Sequence, residues 1–227
     1  MPRQVFAAAF SGVKPDPEIL ALVQQILGGD VYIHQSRIND KRGFQGSGFY
    51  WHSDFETWHC EDGMPRMRAL SASLMLTDNN EFNGPLMLLP GSHKYFVPCM
   101  GKTPPENWKN SLKAQSIGVP DRETLAKLAD EHGICAPKGP AGSLLLFDCN
   151  ILHASNENMS PWPRSNLFFV YNSVENRLTR PFAAPAPRPE YLGARRNTAA
   201  LQMHEKPIGN PGVVSRMQHS FHAQTGR

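Results

Sequence analysis

The chain lacks a long apolar run, which argues against a membrane-spanning helix. Such a helix needs about 20 predominantly apolar residues, and no apolar run in these 227 residues approaches that length. The first seven residues carry one charge and a short apolar patch. They lack the hydrophobic region and cleavage site of a signal peptide. We therefore expect no membrane partner and no export signal.

The sequence also lacks the cysteine patterns of zinc fingers and of disulfide-rich domains. Its four cysteines form no CxxC pair. Without an export signal, we expect reduced thiols in a cytoplasmic protein. Two disulfides in an exported protein are the alternative. The cysteines are Cys60, Cys99, Cys135 and Cys149.

No Lys/Arg-rich block is present, although the formal net charge is +3. The basic excess lies late in the chain, where eight Lys and Arg accompany two Asp and Glu from Asn176 onward. A basic tail can bind nucleic acid. This one has no recognition motif, so we interpret it as solvated and expect no nucleic-acid partner.

Short apolar strands separated by turn residues dominate the pattern, and helices are few. Residues 14–28 have helical periodicity, with Asp16 and Pro17 able to begin a helix and Gly28 able to end it. A second helix is predicted at 121–131. Strand patterns occupy residues 31–39, 68–77, 86–89, 144–148 and 165–174. This distribution predicts a mainly β fold, a double-stranded β-helix (jelly-roll, cupin-like) barrel with flanking helices.

The length of 227 residues and the hydrophobic content of 40% suit one domain with a full core. We assign residues 1–200 to that domain. Prolines beyond Asn176 predict an extended segment that wraps around it. Residues 201–227 show little periodicity, which is compatible with a disordered tail.

A dense motif at residues 48–59 combines aromatic residues with two histidines and two carboxylates. Within it, His52 and Asp54 are two positions apart, and residues so spaced share one face of an extended strand. We therefore expect both side chains on one strand face. A histidine from a distant strand would complete the two-histidine, one-carboxylate triad that holds Fe(II). His-x-Asp alone is weak evidence, because such triplets arise by chance.

His153 is the candidate for the third ligand, and Arg164 is the candidate for an anion site. We expect His153 at the end of an apolar strand, although a lone histidine is more often a structural hydrogen-bonder. Arg164 precedes the next strand, so both side chains can face one cavity. A buried arginine needs an anion, and its planar fork binds a carboxylate. A surface arginine is the alternative.

Strand 31–39 carries polar side chains at alternate positions, including Gln35, Arg37 and Asn39. Alternation places these three on one face. That face either lines a cavity or forms a solvent-facing edge, and the strand alone does not decide between the two.

These stretches together resemble the ectoine hydroxylases of the phytanoyl-CoA dioxygenase family, which use Fe(II), 2-oxoglutarate and O₂. The resemblance covers roughly residues 18–195 and rests on residues 35–39, 49–65, 161–166 and 172–176. It implies that the iron ligands and catalytic centre are His52, Asp54 and His153. It implies a 2-oxoglutarate site formed by Arg164, Ser155, Asn39, Phe49 and Ser73. It implies an ectoine site formed by Gln35, Trp58 and Phe147.

The resemblance implies hydroxylation of ectoine to 5-hydroxyectoine in compatible-solute biosynthesis, with succinate and CO₂ as co-products. It is compatible with a homodimer. Asp54 favours hydroxylation, because halogenases of this class have a small residue in place of the carboxylate. Ectoine hydroxylases carry a longer region before the Gln35 strand, so we expect a shortened N-terminus here.

Two alternatives remain open at this point. One is the same chemistry on another small amino-acid-like substrate, and the other is a metal-binding or ligand-binding jelly roll without turnover. A zinc hydrolase is disfavoured. Zinc also accepts two histidines and a carboxylate, but no further glutamate is placed as a general base, and Arg164 would have no role.

Overall fold

The computed structural model describes residues 3–6, 16–98, 102–114 and 117–203. The first two residues of the helix predicted at 14–28 lie outside this part of the chain, and so does most of the predicted tail, residues 204–227. Within the described residues, no helix is both long enough and apolar enough to cross a membrane.

The described chain contains eight strands and four α-helices. The strands are β1 (Arg3–Phe6), β2 (Val31–Lys41), β3 (Phe49–His52), β4 (Ala69–Met75), β5 (Leu86–Leu88), β6 (Leu144–Asp148), β7 (His153–Ser155) and β8 (Arg164–Ser173). The α-helices are α1 (Pro17–Leu27), α2 (Asp54–Thr57), α3 (Trp108–Ser111) and α4 (Arg122–His132). A π-helical turn spans Trp58–Asp62, and 3₁₀ turns span Ser92–Lys94 and Val174–Asn176.

The strands form two antiparallel sheets. The larger has the order β1-β2-β8-β4-β6, and the smaller has the order β3-β7-β5. Non-consecutive neighbours within both sheets are typical of a jelly roll, so the predicted mainly β class with flanking helices is confirmed. The described strands form two open sheets rather than one closed barrel.

An apolar cluster packs the two sheets against each other. Leu86 and Leu88 of β5 pack with Phe147 of β6 and Phe168 of β8, and Ile151 completes the cluster. Burying a side chain of this size contributes roughly 1.5–3 kcal/mol. The cluster fixes the spacing between the sheets, and the cleft described below lies between them.

Helix α1 begins and ends where the sequence predicts. The Asp16 carboxylate accepts a hydrogen bond from the backbone N–H of Glu18 at 2.9 Å, which satisfies one of the free donors of the first turn. Gly28 ends the helix with a φ of 73°, a left-handed conformation that glycine adopts without strain. Leu20 and Val23 are fully buried against the larger sheet.

Four short elements, β1, α2, α3 and β7, have no counterpart among the predicted ones. β1 pairs with β2 in a register that runs from Arg3 opposite Asp40 to Phe6 opposite Arg37. α3 has a single helical turn. Each of the four elements is three or four residues long, which is too short for hydrophobic periodicity to identify.

The C-terminal segment, residues 177–203, runs along the larger sheet without regular structure, as its prolines predict. The backbone N–H of Ala194 donates to the carbonyl of His34 at 2.9 Å, and that of Leu201 donates to the carbonyl of Val31 at 2.9 Å. β1 pairs only with residues 37–40 of β2. The segment therefore covers the part of the β2 edge that β1 leaves free.

Candidate active site

The motif at residues 48–59 does not continue as a strand through Asp54. β3 ends at His52, and Asp54 is the first residue of α2. Ser53 caps that helix by accepting the Glu56 N–H at 3.3 Å. The predicted common strand face is therefore wrong. The physical reason is the Ser-x-x-Glu capping sequence of Ser53 and Glu56, which begins a helix; the resulting turn still brings His52 and Asp54 together.

His153 begins a strand, whereas the sequence predicted that it would end one. The Asp148 carboxylate accepts the backbone N–H of Asn150 at 2.7 Å, a turn that ends β6. His153 then opens β7, opposite His52 of β3 in the smaller sheet. This pairing places the two imidazole rings side by side, with centroids 4.2 Å apart.

Three buried side chains converge at this point. His52 Nε2 lies 3.8 Å from Asp54 Oδ1, and His153 Nε2 lies 3.9 Å from Asp54 Oδ2. The three ligand atoms all lie within 4.8 Å of one another. Asp54 Oδ2 is buried and has no hydrogen-bond partner among the described residues. The spacing suits groups that share one cation.

The tautomer of each histidine is determined by a hydrogen bond on the side of its imidazole ring that faces away from Asp54. His52 Nδ1 lies 2.8 Å from the Tyr50 carbonyl oxygen, and His153 Nδ1 lies 3.1 Å from the Ile151 carbonyl oxygen. A carbonyl oxygen only accepts, so Nδ1 must donate in both rings. In neutral histidine, Nε2 is then an acceptor, and this is the tautomer that binds a metal through Nε2.

Burial keeps both imidazoles neutral. Burial, and then the neighbouring His153, lower the pKa of His52 to about 3. Burial also lowers the pKa of His153. For Asp54, burial alone would raise the pKa, but Arg37, with Nη2 3.6 Å from Oδ2, helps to hold it below its ordinary value. At neutral pH the centre therefore contains two neutral imidazoles and one carboxylate.

This donor set fits a divalent metal. Three acceptors face one another without a hydrogen between them, and a cation removes the repulsion among their lone pairs. Two imidazole nitrogens and one carboxylate oxygen, with further positions open, are the ligands of non-haem Fe(II) centres. His52, Asp54 and His153 are thus the residues that could hold such an ion.

A second group of charges lies on β2 and β8. Lys41 and Arg164 are opposite each other in the sheet register, and each is 1% exposed. Lys41 Nζ donates to Ser155 Oγ at 2.8 Å, and Arg164 Nη2 donates to Asn39 Oδ1 at 3.2 Å. Arg164 Nε has no partner in the described part of the chain. The two cations are buried beside neutral oxygen atoms.

The two buried cations favour an anionic ligand. Burial lowers the pKa of Arg164 to about 10, so the guanidinium is charged at neutral pH. Burial, and then the charge of Arg164, lower the pKa of Lys41 to about 7. A carboxylate bound between them would stabilise both charged forms, because burial without a counterion is costly. The arrangement fits the anion site that the sequence predicts around Arg164.

Gln35 and Trp58 lie at the other end of the site. Gln35 is four residues from Asn39 on β2, which is about 13 Å by the rise of a strand. Its amide nitrogen donates to the Leu192 carbonyl at 2.8 Å, and its amide oxygen accepts from Arg37 at 2.7 Å. Trp58 is 1% exposed. The amide of Gln35 and the indole of Trp58 thus define an end of the site that is distant from Lys41 and Arg164.

Most of the predicted site residues line one cleft between the sheets. It contains about 710 Å³ of empty space, a figure that includes open solvent. Ser73 and Phe147 do not line it. Ser73 is buried and accepts from Asn166 at 3.3 Å, and the Phe147 ring lies behind His153 at 5.4 Å. The predicted residues that line the cleft are Gln35, Asn39, Phe49, His52, Asp54, Trp58, His153, Ser155 and Arg164.

Two charged residues of the site, Lys41 and Arg188, were not predicted, and Arg37 was expected only as part of a strand face that either lines a cavity or faces solvent. Arg37 and Arg188 line the cleft, and Lys41 contacts its Ser155. The alternation that includes Gln35 and Arg37 also includes Lys41, so period 2 could have found it. Arg188 comes from the C-terminal segment, and no local pattern indicates that it reaches the cleft.

Comparison with known families agrees with this geometry. The family model described as phytanoyl-CoA dioxygenase (PhyH) matches residues 3–166. The matched region includes the three converging ligands and Arg164. The chain belongs to the phytanoyl-CoA dioxygenase family.

Similar members of this family are ectoine dioxygenases. The one from Halomonas elongata is 62% identical over 195 residues, a match that covers 84% of this chain and 59% of the relative. The chain therefore spans about three fifths of that relative's length.

Two solved structures of EctD from S. alaskensis are also similar. The structure with 2-oxoglutarate and 5-hydroxyectoine has a TM-score of 0.75 at 50% identity, and the match covers 86% of this chain and 62% of that chain. The structure with bound Fe has a TM-score of 0.77 at 46% identity, and the match covers 91% of this chain and 69% of that chain.

Removing one imidazole tests the metal assignment. His153→Ala should weaken Fe(II) binding at least about 100-fold, because two of the three protein ligands do not suffice to hold the ion. Anaerobic calorimetric titration measures the affinity. His93→Ala is the matched control, since His93 is exposed and should leave the affinity unchanged. Equal affinity in the His153→Ala protein would contradict the assignment.

Proposed function

We propose that this chain catalyses the Fe(II)- and 2-oxoglutarate-dependent hydroxylation of ectoine to 5-hydroxyectoine, with succinate and CO₂ as co-products. One observation carries the proposal. Three facing metal-ligand side chains and the buried guanidinium of Arg164 line one cleft, and the buried ammonium of Lys41 adjoins that cleft through Ser155. Relatives that are similar to this chain include ectoine dioxygenases, and EctD from S. alaskensis has been crystallised with Fe, and with 2-oxoglutarate and 5-hydroxyectoine.

In this proposal, His52, Asp54 and His153 hold Fe(II) at the centre of the cleft. Bound Fe(II) supplies the chemistry that couples O₂ and the oxidative decarboxylation of 2-oxoglutarate to the insertion of oxygen into a C–H bond. The protein keeps both histidines in the Nε2-acceptor tautomer and keeps Asp54 ionised through Arg37. With a metal bound, these three side chains would leave its remaining coordination positions for 2-oxoglutarate and O₂.

Arg164 and Lys41 orient 2-oxoglutarate. This co-substrate has two carboxylates, and the one far from its keto group is the group that a guanidinium fork can bind in two places. Ser155 and Asn39, which already contact the two cations, fix them in position. Phe49 lines the wall. Ser73 contributes from behind the wall through Asn166.

Gln35 and Trp58 hold ectoine. Ectoine is a small zwitterionic ring, and an indole face with a fixed amide suits such a molecule. Phe147 lies behind His153, so its contribution is to support that ring and the shape of the substrate end. The like charges of Arg164 and Lys41 favour 2-oxoglutarate, rather than a zwitterion, at the opposite end.

The wider biological setting is part of the same proposal. Residues 1–200 form one catalytic domain, and the enzyme acts in the cytoplasm, where Fe(II) and 2-oxoglutarate are both supplied. Hydroxyectoine production gives it a role in osmotic stress. A homodimer is compatible with this proposal.

The affinity for 2-oxoglutarate should depend on pH through Lys41. Its pKa of about 7 in the free protein means that the ammonium loses its proton as pH rises, whereas bound carboxylate favours the charged form. At saturating Fe(II), we expect affinity to fall roughly tenfold between pH 6.5 and 8. Anaerobic titration with 2-oxoglutarate measures it.

Variants separate this effect from other titrations. Lys41→Met should bind 2-oxoglutarate weakly and with little pH dependence over the same range. The matched control is Lys127→Met, because Lys127 lies on the outer face of α4 with a side chain that is 75% exposed. A steep pH dependence that persists in Lys41→Met would contradict the role of Lys41.

Turnover tests the proposed function directly. Purified, folded, Fe(II)-loaded protein should convert ectoine to 5-hydroxyectoine and release one succinate for each product, as measured by chromatography and mass spectrometry. Asp54→Ala removes the carboxylate ligand and should abolish both products. Succinate release with another amino-acid-like substrate but not with ectoine would redirect the substrate assignment, and absence of both would overturn the enzyme assignment.

A further inference from the structure

The C-terminal segment is anchored to the active-site motif through one buried carboxylate. Asp62 is the last residue of the π-helical turn that begins at Trp58, and it is fully buried. Arg188 Nε donates to Asp62 Oδ1 at 2.9 Å, and Arg188 Nη2 donates to Asp62 Oδ2. This two-point contact is the strongest form of arginine–carboxylate pair.

Further contacts surround the same carboxylate. His34 Nε2 lies 3.5 Å from Asp62 Oδ2. A Cβ atom added at Gly193 would lie 2.8 Å from Asp62 Cγ, a distance that real contacts do not show. Arg195 Nη2 donates to the Asp62 backbone carbonyl. The C-terminal segment is therefore packed closely around Asp62, and Gly193, which has no side chain, lies against the Asp62 carboxylate.

Hydrogen bonds lead from this anchor into the substrate end. Arg188 Nη2 donates to the Leu192 carbonyl at 3.2 Å, and that carbonyl also accepts the Gln35 amide nitrogen at 2.8 Å. Because a carbonyl cannot donate, the Gln35 nitrogen must face it, and the Gln35 oxygen accepts from Arg37. Arg37 in turn lies 3.6 Å from Asp54.

We propose that Asp62 is a positioning residue for the substrate end of the cleft, acting through Arg188 and the Leu192 carbonyl on Gln35. This inference rests on the proposed function. Without the Asp62 charge, Arg188 is a buried cation that has no counterion and keeps only the neutral Leu192 carbonyl as a partner, so it leaves its place. The Leu192 carbonyl then no longer fixes the Gln35 amide. Lys41 and Arg164 bond to other groups, so the 2-oxoglutarate end keeps its geometry.

Asp62→Asn tests the inference, because the amide keeps the size of the side chain and removes its charge. We expect KM for ectoine to rise about tenfold, the cost of one charge-assisted hydrogen bond. KM for 2-oxoglutarate and kcat at saturating ectoine should stay within about twofold. A purely structural role lowers the folded fraction and leaves both KM values unchanged. An unchanged KM for ectoine, or equal rises in both KM values, overturns the inference.

Two further variants show whether Asp62 acts through Arg188. In an Arg188→Gln background, the Asp62→Asn change should add little to KM for ectoine, since the partner is already gone; full additivity overturns the inference. Glu175→Gln is the matched control. It breaks the Arg68–Glu175 ion pair, in which the Glu175 side chain is 73% exposed, and it should change neither KM.

A readout without ectoine separates this inference from the proposed function. In the Fe(II)-loaded Asp62→Asn protein under anaerobic conditions, the backbone amides of Ala194 and Leu201 should exchange hydrogen about tenfold faster than in the unsubstituted protein. Those of β4 and β8 should not change. Unchanged exchange in residues 188–201, or faster exchange everywhere, overturns the inference even if ectoine is turned over.

A second variant covers the case in which Asp62→Asn does not fold. Gly193→Ala adds one methyl group against the Asp62 carboxylate and should give the same pattern of KM and exchange changes with smaller amplitude. If this protein folds and behaves as the unsubstituted one does, the inference fails. If ectoine is not a substrate but exchange responds as described, the anchor stands and the proposed function falls.

Discussion

The site depends on three acceptor atoms that meet without a proton between them. His52 and His153 each use Nδ1 to donate to the carbonyl two residues earlier on their own chain. Both Nε2 lone pairs therefore point at Asp54. The ionised carboxylate of Asp54 has no proton to donate to them. Such an arrangement is unfavourable by itself, and a shared cation makes it favourable. The β3–β7 pairing and the helix cap at Ser53 hold the groups in this geometry.

The charges along β2 organise the rest of the cleft around that centre. Four polar side chains alternate along β2. Gln35 places an amide at the substrate end, and Arg37 places a guanidinium beside Asp54. Asn39 accepts a hydrogen bond from Arg164, and Lys41 adds a buried ammonium. Neutral and paired groups thus lie at one end, and at the other end lie Lys41 and Arg164, which form no ion pair with any described residue. In the proposed function, this division gives ectoine and 2-oxoglutarate distinct places in the cleft.

The sequence predicted the chemistry better than the local geometry. His52, Asp54, His153 and Arg164 could be identified because their chemistry and their resemblance to a family agree. Their placement was partly wrong, because capping at Ser53 overrides strand alternation. Arg188 and Asp62 could not be paired from the sequence, since they are 126 residues apart and only tertiary packing of an irregular segment brings them together. Period 2 along β2 contained the signal for Arg37 and Lys41.

The most direct test of this account is a crystal structure of the protein with Fe(II) and 2-oxoglutarate, prepared without O₂. The account predicts the metal bound by His52, Asp54 and His153, with the far carboxylate of 2-oxoglutarate on Arg164 and within hydrogen-bond reach of Ser155 or Lys41. A metal that is not bound by His153 would contradict it. A co-substrate carboxylate seated on Arg37 or Arg188, with Arg164 and Lys41 left unpaired, would contradict it equally.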